Sequence, residues 1–599
     1  MTPSIGLITC SQRSPRAGPQ ITTFIQSTIL QSHPTANLTV IDLAEWNLPM
    51  YNEPGMPSYI TSADEYVHEH TKAWSREIAR HDAFIFITPQ YNWGYPASVK
   101  NAIDYLFHEW KGKPALVIGV DGWKMRYVMN EVMEFDLLNH SDGLLPYIPF
   151  RRLDNSRRSP LNPPPLETIT CDICILGGGS SGTYSAVRLK DAGKHVVVVE
   201  PNNRLGGHTE TLYLPDDHYV DYGVEGVFSD ELSKNYLRRL GVEWKSLLPS
   251  NKKTEYVDFT TGERVDPPAG VVNILLSTFH YRSAIKHWTG LLKGVYDLPD
   301  PVPEELLRPF GEFVEKHSLD AALQLIFLFA HTVGNILELP TLYAIQFFGV
   351  PHVDALLRGY ITPRNGMDEL YQEAGKELGR DVLLQTTAVE TKRSDSGVDV
   401  TVQHANGTRK LIKARNLLIT FPPIMEKLRG FDLDAVETEM FEKWVWRNYY
   451  VAVLNNTGIP DQISVINTDP KAGPGDLPHM PFDYLLQYMG APGHLTSKLL
   501  GDMDFTAEDA KNLMASDFAR MKAKGTYPIE NPHIVAFGDH SPSAPIVSPE
   551  EIRNGFYRKL YALQGRRSTY YTGLTFCSDY SSLLWAYSDT VIEKMKWGM

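Results

Sequence analysis

The first quarter of the chain alternates two kinds of pattern. Near-continuous apolar runs occupy residues 5–9, 38–42, 83–88 and 115–120, with a weaker one at 147–150. Between them, residues 21–30, 63–80 and 97–107 mix apolar and polar positions at helical spacing. Short runs that are apolar on both faces read as strands covered by helices on either side, so the pattern predicts a parallel, doubly wound α/β sheet. Ligands of such sheets lie at the C-terminal ends of the strands. There the chain places Cys10-Ser11-Gln12-Arg13-Ser14, followed by Gly18-Pro19-Gln20, and also Pro89-Gln90-Tyr91-Asn92-Trp93-Gly94-Tyr95-Pro96. Hydroxyls, a guanidinium and a helix N-terminus at the first end suit a phosphate, and aromatic faces with amide groups at the second suit a flat ring.

All periodicity stops at 151–168, where Arg-Arg, Ser-Pro and Pro163-Pro164-Pro165 make a stiff, solvated connector. The reading is a first domain at 1–152, a Pro-rich linker at 153–168, and a second globular part beyond it. That second part opens with an apolar strand at 173–176, the run Gly177-Gly178-Gly179-Ser180-Ser181-Gly182, a helical stretch to Lys190, and a second strand at 195–199 that ends on Glu200. This is a βαβ unit with GxGxxG at Gly177, Gly179 and Gly182. The glycines let the backbone approach a pyrophosphate and let helix pack on strand, the helix N-terminus attracts the anion, and Glu200 is placed to bond the ribose hydroxyls.

Later segments interrupt this pattern. Residues 258–358 are helical and apolar, with the most apolar helix expected at 319–339, and residues 430–541 alternate strand-like runs such as 449–454 and 484–487 with Pro and Gly turns. Both read as an inserted α+β substrate (cap) domain. The dinucleotide-binding domain is left with 169–257, 359–429 and 542–599. An apolar cap with few polar groups suits a small organic substrate, for which His331, Tyr343 and His352 are the acid or base candidates. A His or Tyr on an apolar helix is more often a satisfied core residue. The aromatic run 444–450 stands open between cavity lining and core.

Composition narrows the classes. Hydrophobic residues at 43% and charged residues at 21% are ordinary for a globular protein. A net charge of -14 opposes a nucleic-acid partner, since phosphates are neutralised by Lys and Arg. The stretch 319–339 is broken by Gln324, His331, Asn335 and Glu338, so no membrane span is expected. Four scattered cysteines, with Cys171 and Cys174 three apart on a strand, point to reduced thiols in the cytoplasm and to no metal site.

Two resemblances sharpen this reading. Ser11-Gln12-Arg13, Asn47-Leu48-Pro49-Met50-Tyr51-Asn52-Glu53-Pro54 and residues 89–105 resemble the NAD(P)H-dependent FMN reductase family. The resemblance implies a flavodoxin-like fold, an FMN phosphate held by Ser11, Arg13 and Gln20, and a flavin ring near Gln90, Tyr91, Asn92 and Trp93. The family's glycine-rich loop after the fourth strand is replaced here by Asp121-Gly122-Trp123-Lys124-Met125. In the second part, Arg204-Leu205-Gly206-Gly207-His208-Thr209 and Asp221-Tyr222-Gly223 resemble the flavin fingerprint of FAD-dependent amine oxidases and related oxidoreductases. So do Asn365-Gly366-Met367, Ala388-Val389-Glu390, residues 417–423, Tyr571-Thr572-Gly573 and residues 579–585, and the β-cyclopiazonate dehydrogenase-like branch is the most similar. This implies a Rossmann-type FAD site formed by Gly177, Gly179, Ser181, Gly182, Glu200, Arg204, Gly206, Gly207, His208, Val389, Gly573, Ser582 and Leu583.

Amine oxidases have Arg where His208 stands, and either a hydrogen bond or a covalent bond from its imidazole to the flavin follows from that position. The expected activity is oxidation of a small organic, secondary-metabolite-type substrate by an oxidase, dehydrogenase or monooxygenase. For the first domain three roles stay open: an NAD(P)H-driven electron supply, a structural shell beside an FAD-only oxidase, or part of a flavin-binding sensor.

Overall fold

The computed structural model describes residues 3–14, 16–32, 34–89, 96–120, 166–247 and 253–595, with side-chain burial also left out at 31–32 and 119–120. It divides into two compact units, Met1–Pro165 and Leu166–Met599. The sequence expectations at 147–150, 121–125 and Gln90, Tyr91, Asn92 and Trp93 lie outside the described residues.

The first unit is a parallel sheet in the order Asn37–Asp42, Ser4–Thr9, Ala83–Pro89, Ala115–Val120. Trp74, Phe84, Phe86 and Trp110 fill the core on one face, and Leu7, Ile25, Ile87 and Ile118 fill it on the other. The strand order reverses between Ser4–Thr9 and Ala83–Pro89, the place where sheets of this kind bind ligands, and residues 10–14 follow directly from Ser4–Thr9. One expected helix differs. Residues 63–80 divide into a 3-10 turn, Ala63–Glu65, and a helix, Glu69–Ala79. Tyr66 is extended and buried between them, and the Glu53 carboxylate takes the amide of Val67 and the hydroxyl of Thr71 (2.7 Å), so these groups are satisfied outside the helix.

The second unit is built on two sheets. One runs Val382–Leu383, Val196–Val199, Glu167–Leu176, Arg409–Ile419, Gly397–His404, Thr386–Ser394, with Thr569–Tyr571 also beside Arg409–Ile419. The linker expected at 153–168 ends earlier than its pattern indicates, because Glu167 and Thr168 pair with Lys410 and Leu411. The other sheet runs Glu263–Val265, Lys253–Asp258, Ile463–Asn467, Phe482–Tyr488, His494–Gly501, Val445–Asn455, His533–Asp539, with Ser543–Ile546 also on Val445–Asn455.

Two expected borders therefore shift. Residues 253–257 and 543–546 belong by hydrogen bonding to the second sheet, although their sequence pattern continues that of the first. The apolar stretch 319–339 is not one helix. It forms Leu323–Ala330 and three 3-10 turns, and Gly334, at φ +91°, breaks the path. Among the described residues no helix is long and apolar enough to cross a membrane.

Candidate functional site

In the second unit the site is assembled where the glycine run leaves the strand Glu167–Leu176. Gly177 has φ +106°, and a Cβ there would lie 2.6 Å from Thr420 Oγ1. Thr420 Oγ1 in turn donates to the carbonyls of Leu176 and Gly177, each at 3.0 Å. A side chain on Gly182 would strike the carbonyl oxygen of Gly177, so only glycine brings the helix Ser180–Asp191 this close to the strand. Glu200, 3% exposed, accepts from the amides of Gly178 (2.7 Å) and Asn202 (2.8 Å). Its carboxylate thus orders the loop.

The second glycine pair meets the first. A Cβ on Gly207, at φ +57°, would lie 3.0 Å from Gly179 Cα, and Gly206 N donates to Gly178 O at 2.9 Å. Arg204 points back into its own loop, donating to the carbonyls of Leu205 (3.2 Å), Gly207 (3.1 Å) and Thr209 (2.7 Å) and to Glu210 Oε1 (3.1 Å). Arg204 therefore shapes the loop that the resemblance had it share with the cofactor. Asp221 accepts from Thr211 Oγ1 (2.5 Å) and Met367 N (2.9 Å), which joins two of the sequence motifs.

A second helix N-terminus faces the same place. Ser581 begins the helix Ser581–Lys594, and its hydroxyl lies 3.1 Å from that of Ser180, while Trp585 Nε1 donates to Ser180 Oγ at 3.0 Å. Two helices thus aim unpaired amides and positive dipole ends at one point, a site for a dinucleotide's paired phosphates. Tyr371 OH is buried beside this loop, where the hydroxyls of Ser180 and Thr209 interact with it. Donor-rich backbone and close-approach glycines fit FAD.

The remaining expected contacts are placed as follows. Ser181 is buried in the first turn of its helix. Val389 is the extra residue of a bulge, its carbonyl against Gly430. Gly573 has φ +105° and would place a Cβ 3.0 Å from Thr420 O. Ser582 spends its hydroxyl on Phe228 N (3.0 Å) and Ser233 Oγ (2.9 Å), which leaves its backbone for a ligand. Leu583 packs against Gly294.

His208 keeps accessible surface at the end of the second glycine pair. Asp579, just ahead of the helix Ser581–Lys594, keeps accessible surface as well. Sequence reasoning placed Asp579 in the motif before the last helix without assigning it a role. Burial pushes its carboxyl up to about 7, and burial, with His540 next, pushes His208 down to about 3. His208 stacks on His540 at 4.6 Å, and His540 bonds Glu210 Oε2 at 3.0 Å.

The row continues. Tyr449 lies 6.0 Å from His540 and shares a 3.2 Å hydrogen bond with His331 Nε2, while His331 Nδ1 donates to Leu328 O at 3.1 Å. His331 therefore holds the Tyr449 hydroxyl, and burial lowers it to about 3 and keeps it neutral. Of the aromatic run 444–450, only Tyr449 continues this row. Trp444, Trp446 and Tyr450 pack in the core.

Tyr343 and His352 do not join this group. Tyr343 OH accepts from Val547 N (2.7 Å) and Tyr557 OH (3.0 Å), and His352, 1% exposed, takes Gly349 N on Nδ1 (3.3 Å) among Phe228, Phe348 and Tyr580. Burial lowers His352 to about 3, so it stays neutral.

In the first unit, the Ser11 hydroxyl is buried and partnerless at the start of the helix Gly18–Ser32, and a Cβ on Gly18 would strike it. Arg13 and Gln20 are exposed on the same loop and first turn. Arg16, not anticipated from the sequence, pins this loop through Asp42 Oδ1 (2.6 Å) and Ser11 O (3.1 Å). Asn101 takes Tyr51 N (2.8 Å) and gives to Pro49 O (2.7 Å), fastening residues 47–54 beside the helix Ala97–Asp104. An orphaned hydroxyl at a helix N-terminus fits the phosphate of FMN.

Fold and site together define a flavin-dependent oxidoreductase preceded by a flavodoxin-like domain. Residues 3–142 match the NADPH-dependent FMN reductase family and residues 181–432 match the flavin containing amine oxidoreductases. The chain is 46% identical over 429 residues to β-cyclopiazonate dehydrogenase of Aspergillus oryzae, spanning 72% of this chain and 94% of that one. It is 34% identical over 452 residues to the FAD-dependent oxidoreductase oblC of Cochliobolus heterostrophus, over 72% and 92% of the two chains. A fatty acid isomerase from P. acnes has the same fold over 71% of this chain and 99% of its own, with a TM-score of 0.59 and 20% identity. The chain belongs to the amine-oxidase-like FAD-dependent oxidoreductases and carries an FMN reductase domain ahead of that fold. The two families imply FAD in the second unit, and FMN with NAD(P)H in the first.

Proposed function

We propose that the second unit dehydrogenates a small, largely apolar organic molecule of the secondary-metabolite kind. Asp579 is its proton acceptor, and the first unit is a reductase that draws electrons from NAD(P)H. The observation that carries this reading is the position of Asp579, two residues before Ser581, whose hydroxyl bonds that of Ser180 where the two helix N-termini meet. Bound FAD supplies a two-electron acceptor that dioxygen reoxidises. The chain's own groups do the rest. Gly177, Gly179, Gly182, Gly206 and Gly207 admit the pyrophosphate, with Ser181 and the Ser582 and Leu583 backbone as further contacts, and Glu200 takes the ribose. His208, neutral and stacked on His540, contacts the cofactor by a hydrogen bond. Asp579 receives a substrate proton at its carboxylate oxygen, and Tyr449, oriented by His331, positions the substrate. Kinship with a protein named β-cyclopiazonate dehydrogenase supports dehydrogenation, and four buried free thiols support a reducing, cytoplasmic setting.

Flavin released on denaturation tests the assignment, with equal FAD and FMN expected. Flavin retained by acid-precipitated protein would instead assign a covalent bond to His208. Steady NADPH consumption, lost in Arg13→Ala with FAD content unchanged, is the outcome for an active first unit. Substrate turnover with peroxide release and no NADPH requirement would leave that unit structural.

A further inference from the structure

One apolar surface of the second unit takes no part in the site. The helix Val271–Ile285 buries Ser277, Thr278, Tyr281 and Ile285. Its opposite side exposes Val271 (82%), Val272 (70%), Leu275 (52%), Leu276 (55%) and Phe279 (39%). These recur at the spacing of one helical stripe, which Arg282 and Lys286 continue. The helix Val350–Arg358 adds Leu356 and Leu357, 39% and 69% exposed, and the ion pair of Arg282 Nε with Asp354 Oδ1 at 2.6 Å fixes the two helices side by side. Soluble surfaces seldom gather so many large apolar side chains in one patch.

Charge identifies the occupant. In a chain of net charge -14, no acidic residue occurs between Asp266 and Asp297, whereas Arg282, Lys286 and Lys293 lie in that interval with His280 and His287. Lys286, Lys293 and, on the neighbouring helix, Arg358 are exposed. A second copy docked on this face about a two-fold axis would bring these cations against themselves with no carboxylate in that interval to offset them. Fifteen residues are too few to cross a bilayer. An apolar stripe edged by cations is the pattern of a helix lying in the headgroup region of anionic lipid.

We propose that this face seats the second unit on an anionic lipid surface. The same segment leads inward to the site. Gly294 O accepts from Ser578 N at 2.7 Å, and Val295 bridges to Cys577, just before Asp579 and the last helix. A lipid-bound enzyme would thus collect apolar substrates where they concentrate.

The test is sedimentation of the full-length holoenzyme with vesicles of phosphatidylcholine containing one-third phosphatidylglycerol, compared with phosphatidylcholine alone. Binding to the anionic vesicles is expected, with at least about a tenfold loss of bound fraction in Leu275→Ser/Leu276→Ser/Leu357→Ser, three apolar side chains being removed from the interface. Lys286→Glu/Lys293→Glu should lose the preference for anionic lipid. Flavin absorbance and Tm are measured on each variant to show that the fold is kept. Protein that stays in the supernatant, or a triple variant that binds as well as the parent, would overturn the proposal. So would a concentration-dependent dimer that the triple variant dissolves, since a second copy would then own the face.

Discussion

Two glycines with positive or crowded geometry make opposite demands on a side chain. At Gly182 a methyl group has no room against the Gly177 carbonyl, whereas at Gly407, φ +87°, nothing lies within 4 Å. Gly182→Ala is expected to abolish FAD retention, seen as loss of the flavin absorbance. Gly407→Ala should keep the flavin and lower stability by only ~1 kcal/mol, the cost of a left-handed backbone. Asp579 makes a pH prediction. Its carboxyl is raised to about 7 by burial, so the fraction able to accept a proton grows as pH rises through that value. The rate of flavin reduction by substrate should rise about tenfold per pH unit below 7 and level off above it. In Asp579→Asn this rise should vanish, and stopped-flow absorbance over pH 5 to about 9 decides between the two. Tyr343→Phe should cost ~1–3 kcal/mol in urea unfolding, because the buried Val547 amide loses its acceptor, and should leave that pH profile unchanged.

At the scale of elements, the helices Ser180–Asp191 and Ser581–Lys594 act as a pair, and the Trp585 indole is the tie between them. Trp585→Phe removes one hydrogen bond of about 1 kcal/mol, so FAD should be lost about fivefold faster on dilution, followed by flavin fluorescence. What the sequence discloses at this scale depends on distance along the chain. Gly177, Gly182 and Glu200 were legible because strand, turn, helix and strand follow one another, and each residue's task is local. Asp579, His540 and Tyr449 come from separate elements, and no spacing announces that Tyr449 lies beside His540 and feels the Asp579 charge. The turn at Gly334 and the extended Tyr66 were hidden for another reason. Apolar periodicity runs through both, while a positive-φ glycine in one case and the Glu53 carboxylate in the other overrule it. The strands 253–257 and 543–546 were misplaced because a strand's pattern shows that it pairs, not with which sheet.

For the whole molecule, two compact units with separate cores predict two unfolding transitions. Each should respond to its own flavin. FMN at a hundred times its Kd is expected to raise one transition by ~2.7 kcal/mol and leave the other in place, and FAD to do the reverse, read by calorimetry. A single merged transition that both flavins shift together would contradict independent units.

The bond between Ser180 and Ser581 joins residues 401 positions apart. During synthesis the glycine loop leaves the ribosome hundreds of residues before the helix that completes it, so the nascent chain passes through a long interval in which its nucleotide cradle is half built. The first unit, whose described strands all precede residue 121, has no such delay. Ribosome-bound chains halted before Thr569 should therefore capture FMN and not FAD. Any shortage of riboflavin would then be felt first at the later site, as chains that are finished, half-equipped and exposed to quality control.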